Sequence, residues 1–436
     1  MPVSGCAINE PMAKASPGRK GRWLSLFALL LGACQPTGAV HSALQRDLPT
    51  LRRDILTERA EGKLDRARAE DISRAVLERE IHTASGSVGA ARVRSVRPCA
   101  APLYGSLRER ADRLDDIGAE AALILFEHGK LEGPLARYGN SEDGAWRAVA
   151  ARDTEGPKAA GQRVAFFTDP DERVRRAALQ AALSTADARD RDALLDVARL
   201  DPDPMSRSFA VQALGRLGGE RTVLGLKDRW ERADEGLRLV IVDAWAAPAS
   251  FRDGGRVALL RLAETSSGLP ALRAAQALSR AEGEVREVGV QKLLDAAQNG
   301  TREERRMALT ALPADRPETL TALDVATRDP DREVAVLGWA RLLDFPERRT
   351  AALSTLETLA KGQDSLAIQA RAALSATRAQ AVAPLLVKQL EDRRAELRES
   401  AAIGLVRLGK PEDAALVLAD SSPRVRMQVA CRILMR

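Results

Sequence analysis

The side chains able to do covalent chemistry are few, and they sit near one end of the chain. The three histidines, His41, His82 and His128, all precede residue 136, and residues 136–436 hold a single cysteine, Cys431. That distribution excludes His-based acid–base catalysis, Cys/His zinc sites and Cys–His nucleophile pairs from the long C-terminal stretch. His82 and His128 share the N-terminal part with Cys99, but at no spacing that suits a metal, so no metal site is expected. No phosphate-binding glycine loop is present; Gly215, Gly218 and Gly219 read as a helix C-cap. Trp245 and Trp339 fall on or beside apolar columns and read as core rather than as a ligand cage. No catalytic residue and no cofactor are therefore expected. Cys34 differs by its context. It follows Leu31-Gly32-Ala33 at the end of the apolar run Trp23–Leu31, which is preceded by Lys14, Arg19, Lys20 and Arg22. So short a run cannot cross a ~30 Å hydrocarbon core as a helix, so it reads as a signal-peptide core.

The rest of the chain is organised by repetition. A mostly small residue recurs in the middle of a helical pattern at Ala148, Ala178, Ala210, Ile241, Ala274, Ala308, Gly338, Ala370, Ala401 and Val429, with gaps of 28 to 34 residues. Three residues on stand Ala181, Ala213, Ala244, Ala277, Ala311 and Ala373; four residues on stand Leu214, Trp245, Leu278, Leu312, Leu342, Leu374 and Leu405. Positions i, i+3 and i+4 share one helical face, so small residues let neighbouring helices approach and the larger one fills the gap. A second helix precedes each anchored one, as in Arg191–Leu200 and Val382–Leu390. Turns such as Asp169-Pro170-Asp171, Asp201-Pro202-Asp203 and Asp329-Pro330-Asp331 separate them, with Asp as cap and Pro in the first turn. A fixed period of this length means a solenoid. The expected fold is all-α, a right-handed α-α superhelix of about ten helix pairs over residues 136–436.

The segments DPDERVRRAALQAAL (Asp169–Leu183), DPDPMSRSFAVQALGRLG (Asp201–Gly218), LRESAAIGLVRLG (Leu397–Gly409) and SSPRVRMQVACRIL (Ser421–Leu434) resemble HEAT repeats of the short bacterial, PBS-lyase type. The resemblance implies that the second helix of each unit lines a concave face. Polar positions there, Arg173, Arg176, Gln180, Gln212, Arg306 and Arg424, are the expected partner surface. It also implies a ladder, in which each arginine bridges acidic side chains of its own and a neighbouring unit. The pairs six residues apart are Asp169/Arg175, Asp201/Arg207, Asn299/Arg305, Asp392/Arg398 and Asp420/Arg426. Units five and six are degenerate, with Pro270 and Glu304 in an otherwise apolar column and Thr265 and Ala271 in place of the ladder pair, so altered curvature is expected there.

Leu31-Gly32-Ala33-Cys34 resembles the lipobox of bacterial lipoproteins, which implies cleavage before Cys34 and lipid on its thiol and new amino group. Gln35 in the next position implies sorting to the outer membrane, facing the periplasm. The expected organisation is a signal peptide over 1–33, a lipidated tether over 34–47, a helical N-terminal cap region over 48–135 with room for one or two degenerate repeats, and the solenoid over 136–436. Cys99 and Cys431 lie before the first anchor and in the last unit, so nine stacking steps are expected to hold them apart and no disulfide between them is expected.

Net charge is +6, half of it in the leader, and the remaining charges of both signs are interleaved. Nucleic acid would want a single-sign stripe with stacking aromatics, and aromatics are only 3% of the chain. The expected function is a membrane-anchored, non-enzymatic scaffold that binds another protein or envelope component through its concave face. The alternative is a modifying enzyme, since the short repeats also resemble the phycobilin lyases.

Overall fold

The computed structural model describes residues 38–45, 47–131 and 135–435; the expected leader and Cys34 lie outside them. The N-terminal part contains α1 (Ala39–Gln45), α2 (Leu48–Ala60), α3 (Arg66–His82), α4 (Gly86–Ser95), α5 (Tyr104–Ala111) and α6 (Asp116–Glu127). The array continues with α7 (Gly144–Arg152), α8 (Ala160–Phe166), α9 (Glu172–Thr185), α10 (Arg191–Leu200), α11 (Pro204–Leu217), α12 (Glu220–Trp230) and α13 (Glu235–Ala246). Then come α14 (Arg256–Thr265), α15 (Gly268–Leu278), α16 (Glu284–Asn299), α17 (Arg302–Ala311), α18 (Pro317–Ala326) and α19 (Arg332–Leu342). The last are α20 (Pro346–Ala360), α21 (Ser365–Ala376), α22 (Ala383–Gln389), α23 (Ala395–Arg407) and α24 (Pro423–Leu434). Among the described residues there is no strand, and no helix is long and apolar enough to cross a membrane.

The Asp-Pro-Asp turns show why the helices begin where they do. Asp169 accepts a hydrogen bond from the Asp171 N–H at 2.9 Å, and Asp171 caps α9 by accepting from the Arg173 N–H at 2.8 Å. The same two-step turn recurs at Asp201 and Asp203 before α11 and at Asp329 and Asp331 before α19. Each cap satisfies an N–H that the first helical turn leaves unpaired. The ten recurring residues from Ala148 to Val429 are all buried. Where α11 and α13 approach closely, glycine is needed: a Cβ on Gly215 would stand 2.7 Å from Cα of Ala244. Gly215 thus lies inside α11 as a packing residue rather than in the cap, while Gly218 takes the C-cap at φ +66°.

The first unit starts two residues later than its alanine pattern suggests. Seven residues separate cap from anchor in α9 (Asp171 to Ala178) and in α11 (Asp203 to Ala210), which places the anchor of α7 at Ala150 after its cap Asp143. Ala145, Ala148, Ala150 and Ala151 are all buried, so small residues alone permit several registers in this helix. Between α13 and α14 the chain turns through Phe251–Gly255, with Gly254 at φ +112°, and this turn packs among α12, α13 and α14.

The array closes on itself. Each second helix packs on the next, from α7 through α9, α11, α13, α15, α17, α19, α21 and α23 to α24. Helix α24 then packs on α3, and α3 leads through α4, α5 and α6 back to α7. One apolar core accordingly runs from Leu309 and Leu342 through Leu405, Val429 and Ile433 into Ile72, Leu77, Ile81 and Ile124. A second core fills α9 to α14. Cys99 and Cys431 form a disulfide with Cα atoms 5.3 Å apart. This overturns the expectation that the two cysteines are far apart. That expectation counted stacking steps along a line, whereas each step also turns, and the accumulated turn brings the last helix onto the third.

The tether is also shorter than expected. Ala39–Gln45 is helical and packs on α2 and α3, and the Ala39 N–H donates to Oε1 of the buried Glu58. Alternating small and apolar residues (Ala39, Val40, Ala43, Leu44) supply a face too short to stand out as a helical period.

Candidate functional site: the arginine ladder and the inner groove

The second helices carry a repeated arginine four residues after the cap. Arg175 Nη1 donates to the carbonyl oxygens of Asp169 and Pro170, and its other side forks onto the Asp201 carboxylate at 2.8 and 3.1 Å. Arg398 repeats this with the carbonyls of Asp392 and Arg393 and the carboxylate of Asp420. Arg305 takes the Gly300 carbonyl and forks onto Asp329. Arg207 takes the Asp201 and Pro202 carbonyls and stands 3.9 Å from Asp234. Each arginine therefore binds its own unit through backbone and the next unit through a carboxylate. The expectation that it bridges carboxylates of both units is corrected here, because the own-unit Asp turns its side chain to the N–H two residues on. Asn299 is not a rung at all: its amide binds Asp295, one helical turn back. Arg147 is a rung that the sequence reading missed, with the Ser141 and Glu142 carbonyls behind it and Asp169 ahead. The two-residue register error in α7 hid it.

The last rung closes the ring. Arg426 Nη1 donates to the Asp420 and Ser421 carbonyls, and Nη2 reaches Glu80 on α3. Glu80 also receives Arg92 at 3.3 Å. A glutamate of the N-terminal part thus takes the place of the next unit's aspartate. The electrostatics follow the geometry. Hydrogen bonds with Asp201 and Asp420 raise the already high pKa values of Arg175 and Arg398. Burial alone would raise the Asp169 and Asp420 carboxyls, but the arginine forks and the N–H donors outweigh it and leave both below their usual value.

The second helices approach one another more closely than the first helices do, so they form the inner wall. A groove of about 480 Å³ runs along this wall across α15, α17, α19 and α21. Its α17 residues Glu303, Arg306, Met307 and Thr310 align with Glu333, Val336, Leu337 and Ala340 of α19, one repeat on. Arg273, Gln276 and Gln369 complete it. A smaller hollow of about 310 Å³ shares Arg273 and Gln276 and extends to Asp243 and Phe251. Several of its charges are paired across units: Arg273 with Asp243 at 2.7 Å, and Arg306 and Arg302 with Glu333. The wall is therefore an apolar floor of Met307, Val336 and Leu337 between ion pairs.

Of the expected partner residues, Arg306 lies in this groove. Gln180 and Gln212 share the helix position of Gln276, Gln212 exposed and Gln180 half-buried. Arg173 is held by Asp171 at 2.8 Å and stands 3.5 Å from Asp116, Arg176 is forked onto Asp203, and Arg424 pairs with Glu399 at 3.2 Å. These three sit away from the groove, and the first two serve unit stacking. The residues that the sequence reading missed are Met307 and Leu337, one before the anchor, because an apolar side chain in a helical stripe reads as core. Trp245 is buried and stacked on Trp230 with centroids 5.5 Å apart. His128 hydrogen-bonds Tyr104 and the Arg97 carbonyl, and His82 stands 3.7 Å from Glu109.

The family model described as HEAT repeats matches residues 162–246, the stretch from α8 to α13. Among solved structures, the chain is similar to an engineered protein at 19% identity, covering 69% of this chain and 97% of that one, with a TM-score of 0.26. It is similar to YibA of E. coli at 14% identity, covering 70% and 96%, with a TM-score of 0.25. It is also similar to She4p at 11% identity, covering 94% and 80%, with a TM-score of 0.31. No curated protein matches the chain.

Proposed function

We propose that this protein is a non-enzymatic scaffold that binds another protein along its inner wall. The observation that carries the reading is the groove across four consecutive second helices, in which the same helix positions recur from α17 to α19. A surface repeated at a fixed step suits an extended or helical protein segment, whose own side chains recur along its length. The apolar floor would supply the buried contact, and the flanking ion pairs the orientation. The scaffold acts in the bacterial envelope, held at the outer membrane and facing the periplasm by lipid on Cys34. The Leu-Gly-Ala-Cys sequence supports this, and so does a disulfide between Cys99 and Cys431, a bond that persists in oxidising compartments. Two or more acyl chains give stable anchoring where one chain alone binds only marginally.

Two experiments test the reading. Arg306→Glu with Leu337→Glu should abolish capture of the partner in crosslinked membranes while leaving the circular dichroism spectrum unchanged; undiminished capture would reject the inner groove. A fatty-acid analogue should label the wild type and not Cys34→Ala. Equal label in both would reject the anchor.

A further inference from the structure

The ring is held shut differently from the way it is held together elsewhere. Successive units are joined by short turns, but α3 and α24 meet across more than three hundred residues of sequence. Ties that cross this seam include the Cys99–Cys431 disulfide, the Arg426–Glu80 ion pair and the Arg59–Asp413 ion pair. Only the disulfide among them is covalent, and no short turn of the chain joins α3 to α24. Cys99 and Cys431 are each only 4% exposed. A solvent thiolate therefore reaches the sulfurs only when the seam loosens.

We propose that Cys99–Cys431 is a redox latch on a ring that opens at the α3/α24 seam. A dithiol reductant donates two electrons and two protons, the S–S bond breaks to two thiols, and the reductant leaves as its own disulfide. A disulfide oxidant reverses the step. With the latch oxidised, the inner wall is a closed circle. With it reduced, the seam keeps its ion pairs and the packing of α24 on α3 but no covalent bond, and the wall can become an open arc. The shielding of the sulfurs makes the oxidised ring slow to reduce and, once opened, able to stay open while the thiols remain apart.

Hydrogen exchange on the full chain tests the latch, comparing oxidised protein, protein reduced with excess dithiothreitol, and the Cys99→Ser/Cys431→Ser variant. Peptides from α3, α4 and α24 should exchange at least about tenfold faster after reduction and in the variant, while α9 to α13 change less than about twofold. Reoxidation should restore protection. Unchanged exchange at the seam would overturn the proposal, as would an equal acceleration in every helix, which would make the bond a general brace. Intact mass showing two free thiols in the oxidised sample would overturn it as well. If the double variant does not fold, the reduced wild type carries the comparison.

Discussion

Arg426 on the last helix and Glu80 on the third form an ion pair in which both residues are only 2% exposed, across 346 residues of sequence. The pair has the same construction as the rungs between adjacent units, with a backbone carbonyl behind the guanidinium and a carboxylate ahead. The ladder is thus continuous with the seam, and ring closure reuses the chemistry that stacks the repeats.

Removing Arg426 leaves Glu80 charged and buried with only the longer contact to Arg92 at 3.3 Å. Arg426→Met should destabilise the protein by about 3–5 kcal/mol, measured by denaturant unfolding of the oxidised protein. Arg426→Met with Glu80→Leu should recover much of that loss, because the charge then left without Glu80, Arg92, is partly exposed to water. Equal losses in the single and double variants would show that packing, not charge, holds this contact.

Interior rungs should matter where exposed pairs do not. Arg175→Ala removes a fork onto Asp201 and two carbonyl contacts from a side chain that is 10% exposed, and should cost on the order of 2 kcal/mol. Arg199→Ala removes a pair with Asp196 in which both side chains are mostly exposed, and should stay within about 0.5 kcal/mol. Comparable midpoints for the two variants in urea would remove the ladder's structural role.

Gly215→Ala should destabilise by about 1–3 kcal/mol despite the better helix propensity of alanine. The added Cβ would lie 2.7 Å from Cα of Ala244, so two backbones must separate. A thermal midpoint equal to or above that of the wild type would contradict this close approach.

The ladder was partly legible in the sequence and partly not. The period and the Arg175, Arg207, Arg305, Arg398 and Arg426 column followed from spacing, because a helix repeats its faces whatever the neighbours do. The carbonyl half of each rung did not, since the Asp-Pro-Asp turn spends its first carboxylate on its own backbone, which spacing alone does not express. Ring closure was illegible for a different reason. It depends on the small rotation between units summed over the array, and no residue encodes that sum. Glu80 carries no mark that sets it apart from other helix glutamates. Met307 and Leu337 were legible as an apolar stripe but not as surface.

Acid should act through the capping carboxylates. The Arg176 fork holds Asp203 well below its ordinary value, and Asp169 and Asp420 are lowered too once their arginines outweigh burial. Carboxyls with depressed folded values add stability that is fully present above their unfolded value near about 4 and is lost as pH falls through the folded value. The thermal midpoint should be nearly flat from about pH 8 to 5 and fall below about pH 4. Asp203→Asn should flatten part of that fall; an unchanged acid limb would mean that other carboxylates carry it.

The inner wall as a protein-binding surface is tested most directly by site-specific photo-crosslinking in cells. A photoreactive residue replaces Thr310 in the inner groove or Val325, which is exposed on the first helix α18. The account predicts that position 310 traps a discrete protein partner and that Arg306→Glu with Leu337→Glu abolishes the adduct, while position 325 traps none. A discrete adduct at position 325 with none at position 310 would contradict it.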